Sequence, residues 1–286
     1  MRALPAPTRR RAVLVVPGFD ERKITKALAT GADEVVIDLE DAVAVDSKAA
    51  ARTLVVRILD DIDRDPARSI AVRVNALGTE WAADDLAALA SVSELDSVVL
   101  PKAEAAADLV RAHELLGGHR ATLQALIETP RGVQDIDEIC RTTAPLAAVV
   151  IGYADLGAAL GRGADLPPQR WAAIQDRVLV AARACGVAAI DGPHLGIADN
   201  ADFRNRVRWA REAGFDGKWV LHPGQIGATT TEFTPDPAAV ETARRVLAAL
   251  DEAAARGLGV ARLGDQMLDE AVAVAARRIL ARTEGN

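Results

Sequence analysis

Glu128 and Asp155 each stand just beyond a short aliphatic run, and carboxylates are the ligands a hard, oxygen-seeking cation such as Mg²⁺ prefers. Two protein carboxylates leave coordination positions for water and for substrate oxygens. A cation held this way polarises a carbonyl or chelates a 2-oxo or 2-hydroxy acid. Arg73 lies near the end of another such run, and its planar fork of donors suits a substrate carboxylate or a developing enolate oxygen. Asp38, Glu40 and Asp41 cluster after a further run, while Lys102, Asp191 and His222 close three more. Each residue also has a plainer reading. Glu128 reads as a cap on the helix that follows it, Asp155 as the N-cap of Leu156–Leu160, and Arg73 as an ion-pair partner of Asp38 or Glu40. Lys102 and His222 each adjoin a proline in a tight turn.

Eight runs position these residues: Ala12–Val16, Glu34–Leu39, Ile70–Asn75, Ser97–Pro101, Thr122–Glu128, Ala147–Gly152, Gly186–Asp191 and Lys218–His222. Between them lie Ala-rich helical stretches, among them Arg22–Thr30, Ser47–Asp61, Asp84–Ser91, Ala105–Leu116, Gly132–Thr142, Gln169–Cys185 and Asp202–Ala213. Strand and helix alternating at this pace call for parallel pairing through crossover helices. The pattern predicts an α/β fold, a closed TIM (β/α)₈ barrel. Such a barrel carries its chemistry at the C-terminal strand ends, where the residues above fall. Charges at the opposite ends, such as Glu34 and Asp96, read as surface polarity. Neither G-x-G-x-x-G nor G-x-x-x-x-G-K-[ST] occurs, which removes the usual support for a nucleotide-binding sheet. After the eighth run, Pro235–Arg256 reads as a helix closed by Gly257, Leu258–Gln266 as a loop, and about Asp269 to Arg282 as a last helix. The expectation is one domain over residues 1–286, with 235–286 as a helical C-terminal extension.

Half of the 286 residues are hydrophobic but only 3% are aromatic, so aliphatic side chains must fill the core. The formal charge of −7 weighs against a nucleic-acid partner, although a few local cations can still bind an anionic small molecule. The basic stretch Met1–Arg11 precedes an apolar run too short for a signal peptide, and nothing approaches a membrane span. A cytoplasmic protein with no membrane partner is expected. Cys140 and Cys185 have no metal or CxxC spacing, and serines are too few for a G-x-S-x-G elbow. A Schiff-base role for Lys102 stays open.

Taken in order, several strings resemble the HpcH/HpaI aldolase and citrate lyase β-subunit family. They are Val16-Pro17-Gly18, Asp38-Leu39-Glu40-Asp41-Ala42-Val43, Val72-Arg73-Val74-Asn75, Leu100-Pro101-Lys102, Ile127-Glu128-Thr129, Gly152-Tyr153-Ala154-Asp155-Leu156, Gly214-Phe215-Asp216-Gly217-Lys218 and His222-Pro223 with Gln225. The resemblance implies a barrel in which Glu128 and Asp155 bind Mg²⁺ and Arg73 contacts the substrate, with Glu128 and Lys102 also lining its site. Asp38 and Glu40 would orient Arg73 or metal-bound water. Met267-Leu268-Asp269 matches a C-terminal element that, in the similar malyl-CoA lyases, reaches a neighbouring subunit, so Asp269 becomes a candidate acid/base acting in trans. The implied activity is Mg²⁺-dependent carbon–carbon cleavage of a 3-hydroxyacyl-CoA of the citryl-CoA or malyl-CoA type, by a homotrimer or hexamer. A thioesterase, a condensing synthase and a non-catalytic ligand-binding relative are the alternatives. Tyr153, where relatives often carry Ala or Thr, is expected to reshape the acid-binding pocket. Asp265 stands where many have a basic residue. Arg73→Ala is expected to be nearly silent in folding and severe in turnover.

Overall fold

A computed structural model describes residues 9–63, 65–163 and 166–284. The described chain falls into two compact units, a barrel from Arg10 to Thr231 and a C-terminal unit from Glu232 onward. The basic N-terminal run up to residue 8 lies outside the described residues.

The barrel is closed and wholly parallel, in the order β1 to β8. Its strands are β1 (Ala12–Pro17), β2 (Glu34–Asp38), β3 (Ser69–Arg73), β4 (Ser97–Leu100), β5 (Thr122–Ile127), β6 (Leu146–Ile151), β7 (Ala188–Asp191) and β8 (Gly217–Val220). Pairing of β8 with β1, Lys218 opposite Ala12, completes the ring. Strands covered on both faces tolerate polar side chains only where partners are provided, which explains their Val, Ile, Leu and Ala runs. Inside the ring, Val13, Val36, Ala71, Val99, Leu126 and Trp219 form part of one buried layer. The two-residue period of a strand then fixes what else points inward. Glu34 and Asp38 flank Val36, Ser69 and Arg73 flank Ala71, and Gln124 and Glu128 flank Leu126. The interior is therefore an apolar layer between two polar ones.

Helices α1 (Glu21–Leu28), α2 (Lys48–Asp60), α3 (Ala82–Leu89), α4 (Ala106–Leu115), α5 (Pro130–Gln134), α6 (Ile136–Cys140), α7 (Tyr153–Ala159), α8 (Ala172–Ala184) and α9 (Ala201–Ala213) alternate with the strands. Their ends follow local chemistry. Asp20 caps α1 by accepting from Lys23 N at 3.1 Å, and Asn200 caps α9 through Phe203 N at 2.9 Å. Gly214 ends α9 at φ +107°, a conformation that favours glycine. The stretch read as one helix over Gly132–Thr142 is two, α5 and α6, which meet at Asp135.

After β8, α10 (Ile226–Phe233) runs across the boundary between the units. In the C-terminal unit, α11 (Pro237–Ala255) and α12 (Glu270–Glu284) are joined by the hairpin β9 (Ala261–Leu263) and β10 (Gln266–Leu268). Ala243, Val246, Leu268 and Ala276 are its buried centre. The segment expected to be a loop is thus a two-residue hairpin. Gly264 at φ +60° makes the turn, and Asp265 pairs with Arg262 at 3.1 Å. Among the described residues no helix is long and apolar enough to cross a membrane.

Candidate active site

The C-terminal ends of β2 to β6 bring Asp38, Glu40, Arg73, Lys102, Glu128 and Asp155 into one electrostatically coupled group. Asp38 is the anchor. Its carboxylate accepts from Arg73 Nε at 2.7 Å and Nη2 at 2.6 Å, and from the amides of Glu40 and Ala42 at 2.8 and 3.1 Å. With one edge of the guanidinium fixed, Nη1 faces Glu40 Oε2 at 2.9 Å and Asp41 Oδ2 at 3.5 Å. The structural ion pair of Arg73 with Asp38 and Glu40 is therefore present. It also revises the expectation that Arg73→Ala would be silent in folding. Removing this buried cation leaves the fully buried Asp38 without its countercharge, at a cost on the order of 3–5 kcal/mol.

The β2–α2 loop is held by Asn75 and Gly18, which the motif strings contain, together with Lys48 and Asp85, which no sequence pattern marks. Buried Lys48 donates to the carbonyls of Leu39 and Glu40 at 3.0 and 2.9 Å, and lies 5.1 Å from the centre of the Trp81 ring. Asn75 donates to Leu39 O at 3.1 Å and to Asp85 at 2.6 Å, and Asp85 in turn pairs with Arg52 at 2.8 Å. Gly18 comes so close to this loop that a Cβ would lie 2.7 Å from Asp38 O.

Glu128 follows β5 but does not cap α5. Thr129 does so, with Oγ1 accepting from Gly132 N at 3.0 Å. Glu128 Oε1 accepts from the amide of Lys102 at 2.9 Å. Lys102 has a left-handed backbone (φ 50°), the only non-glycine residue with positive φ among those described. Its Nζ stands 3.6 Å from Glu40 Oε1. Across from Glu128, Gly152 leaves the space the carboxylate needs, since a Cβ there would lie 2.5 Å from both Glu128 Cβ and Oε2. Asp155 lies in the first turn of α7, for which Gly152 is the N-cap. It is half-buried, and no described residue hydrogen-bonds its carboxylate.

Negative charge is in excess here. Asp38, Glu40, Asp41, Glu128 and Asp155 share Arg73 and Lys102 as the cations nearest their carboxylates among the described residues. Burial, and then the charges of Glu40 and Asp155, push the Glu128 carboxyl up to about 8. Burial also drives Glu40 up to about 7, against the pull of Arg73. Lys102 sits above its usual value because Glu40, Asp155 and Glu128 outweigh the opposing effect of burial. Among the described residues no three His, Cys, Asp or Glu side chains form a metal cage. A cation at Glu128 and Asp155 would have two protein ligands, and its charge would relieve the repulsion that raises Glu128. The residues present fit a divalent ion whose remaining ligands are water and substrate.

The other singled-out residues have local partners of their own. Asp191 ends β7 but pairs with Lys218 at 2.5 Å. The Tyr153 hydroxyl donates to Asp191 Oδ1 at 2.5 Å and accepts from Gln175 at 2.7 Å. Burial and the neighbouring Asp191 hold that phenol well above its ordinary pKa. His222 is exposed and accepts from Gly224 N at 3.1 Å, capping a short turn. Asp269 belongs to the C-terminal unit, is exposed, and accepts from Val272 N at 3.1 Å at the start of α12. Cys140 and Cys185 are free thiols, and burial raises Cys140 to about 12, far from a reactive thiolate.

Known proteins place this geometry in a family. The model of the HpcH/HpaI aldolase/citrate lyase family matches residues 11–223. A (3S)-malyl-CoA thioesterase of Cereibacter sphaeroides is 37% identical over 276 residues, 96% of this chain and 94% of the relative. An L-malyl-CoA/beta-methylmalyl-CoA lyase from the same species is 32% identical, covering 99% of this chain and 98% of the relative. The crystal structure of CitE from Mycobacterium tuberculosis, in complex with magnesium, acetoacetate and coenzyme A, superposes with a TM-score of 0.76. It is 34% identical and covers 95% of this chain and 97% of that one. The chain belongs to the HpcH/HpaI aldolase/citrate lyase family, a family of carbon–carbon lyases.

Proposed function

We propose that this enzyme cleaves a 3-hydroxyacyl-CoA of the malyl-CoA or citryl-CoA type to a 2-oxo acid and acetyl-CoA, with Mg²⁺ held by Glu128 and Asp155. The observation that carries the reading is the surplus of carboxylate charge at buried Glu40 and Glu128 and half-buried Asp155, opposite the fixed guanidinium of Arg73. When bound, Mg²⁺ supplies chelation and polarisation of the substrate's carboxylate and hydroxyl oxygens.

The protein's own groups do the remaining work. Glu40, with its carboxyl near 7, is able to take up the hydroxyl proton at neutral pH. As that O–H bond breaks, the oxygen's electron pair forms the carbonyl of the 2-oxo acid, and the adjacent C–C bond cleaves to leave a thioester enolate. Arg73 Nη1, its orientation set by the two bonds to Asp38, stabilises the enolate oxygen. Asp269 of a neighbouring copy in a homotrimer or hexamer protonates the enolate carbon to give acetyl-CoA. Lys102 offers the one ammonium at the group's edge for the substrate's acyl or carboxylate oxygens.

The similarity to a malyl-CoA thioesterase favours one second reading, in which water attacks the thioester carbonyl and free CoA leaves. Incubation with malyl-CoA and with citryl-CoA, with and without Mg²⁺, separates the two by mass spectrometry. Metal-dependent glyoxylate or oxaloacetate with acetyl-CoA is the expected result. Free CoA with intact hydroxy acid would establish the thioesterase, and absence of turnover on both would reject this substrate class.

A further inference from the structure

The helix that presents Asp155 lacks the usual means of fixing its first turn. Its N-cap, Gly152, has no side chain to accept from the free amides, and any side chain there would strike Glu128 at 2.5 Å. At seven residues, α7 is also too short to hold its shape alone. Leu156 anchors one side in the core. The first helical residue, Tyr153, is tied to a polar network on the outer face of the barrel.

That network leaves the phenol little freedom. Its hydroxyl donates to Asp191 Oδ1 at 2.5 Å and accepts from Gln175 Nε2 at 2.7 Å. Each partner is itself immobilised. Asp191 Oδ2 accepts from Lys218 Nζ at 2.5 Å, and the same ammonium donates to Gly192 O at 2.5 Å. Gln175 Oε1 accepts from Trp209 Nε1 at 2.9 Å. The Tyr153 ring leans on Trp171, with centroids 5.0 Å apart, and packs against Gly192, where a Cβ would lie 3.0 Å from its Cδ2; the residue also lines a cavity of about 220 Å³. Packing sets the plane of the ring, and the two hydrogen bonds fix where its hydroxyl ends.

We propose that Tyr153 is a positioning residue: its hydroxyl, gripped by Asp191 and Gln175, fixes the first turn of α7 and so aims Asp155 at the cation site shared with Glu128. This rests on the reading of Asp155 as a metal ligand. Groups that orient a metal ligand typically alter metal affinity or activity by about 10- to 100-fold when removed.

Mn²⁺ provides a probe that needs no turnover, since free Mn²⁺ is read directly by electron paramagnetic resonance. Wild type should bind one ion that Asp155→Asn loses. Failure of that control would overturn the metal-site reading, and the inference with it. Given the control, Tyr153→Phe should bind Mn²⁺ about tenfold more weakly, and kcat should recover at saturating Mg²⁺. Val207→Ala truncates a buried residue of α9 outside the network, and should lower thermal stability while leaving Mn²⁺ affinity unchanged. Wild-type affinity in Tyr153→Phe, or an equal loss in Val207→Ala, would overturn the positioning role. Should Tyr153→Phe not fold, Gln175→Met removes one of the two side chains that hold the hydroxyl, and unaltered Mn²⁺ affinity in that variant overturns it as well.

Discussion

At the N-terminal end of the barrel interior, Glu34 is fully buried and yet completely provided for. Arg10 Nε donates to it at 2.9 Å, Ser69 Oγ at 2.9 Å, and Gln124 Nε2 reaches both oxygens at 3.1 and 3.0 Å. At the C-terminal end, two strand positions beyond the same apolar layer, Glu128 receives one amide bond, and Glu40 Oε2 meets Arg73 without hydrogen-bond geometry. The strands, the inward faces and several residue types are the same. The lower layer matches one carboxylate to one guanidinium, whereas the upper one gathers five carboxylates around two cations. A layer that only holds the barrel together satisfies its charges internally. On the proposed function the upper layer receives a cation and an anionic substrate, and charge left unmatched there makes the folded state less stable until they arrive.

The sharpest trial of this contrast is the same substitution made at both ends. Glu34→Gln leaves Arg10 buried without a countercharge and should cost about 3–5 kcal/mol in denaturant unfolding, with turnover per folded molecule unchanged. Glu128→Gln should act in the opposite sense, keeping its bond from Lys102 N and removing a repelled charge. The metal-free protein should then melt higher at pH 8, while turnover falls by at least about 10²-fold. A lower melting point for Glu128→Gln would erase the distinction between the layers.

A smaller effect should appear with pH. Above the ordinary carboxyl value of 4.5 the unfolded chain loses protons that Glu40 and Glu128 retain in the fold until about 7 and about 8. The folded state then binds more protons, so these groups make stability decline as pH rises from about 4.5 to about 8. Thermal melts at pH 5 and pH 8 should show that decline without Mg²⁺ and a shallower one with it. An equal slope in both conditions would separate Mg²⁺ from these carboxylates.

The eight strands were legible because most are aliphatic runs with a polar residue at or within two positions of their end, and every one lies within two residues of where the sequence placed it. Glu34 was not legible. In the sequence it reads as surface polarity, because a strand buried on both faces loses the alternation that tells inside from outside. A usable signal was present: Glu34, Ser69, Ser97 and Gln124 each stand two positions before an inward aliphatic residue, a polar ring repeated around the barrel. Arg73, Glu128 and Asp155 could be singled out by residue type, but their plainer roles were settled only by geometry. Thr129 and Gly152 take the caps that Glu128 and Asp155 might have filled. The network around Tyr153 joins residues more than twenty apart in sequence across α8, α9 and β7, and no local pattern marks it. The C-terminal hairpin was hidden for another reason, since its strands of three residues are too short to show a period.

Lys102 grips Glu128 with its main chain and not with its side chain. A backbone amide survives replacement by every residue but proline, so the orientation of that carboxylate is inherited whatever amino acid is encoded at 102. Only the left-handed turn restricts the choice, toward residues that tolerate φ 50°. If Lys102 meets the substrate as proposed, selection can exchange the side chain at this corner to suit a different acid while the carboxylate beneath it stays where it is, and substrate preference can drift along a lineage without first dismantling the site.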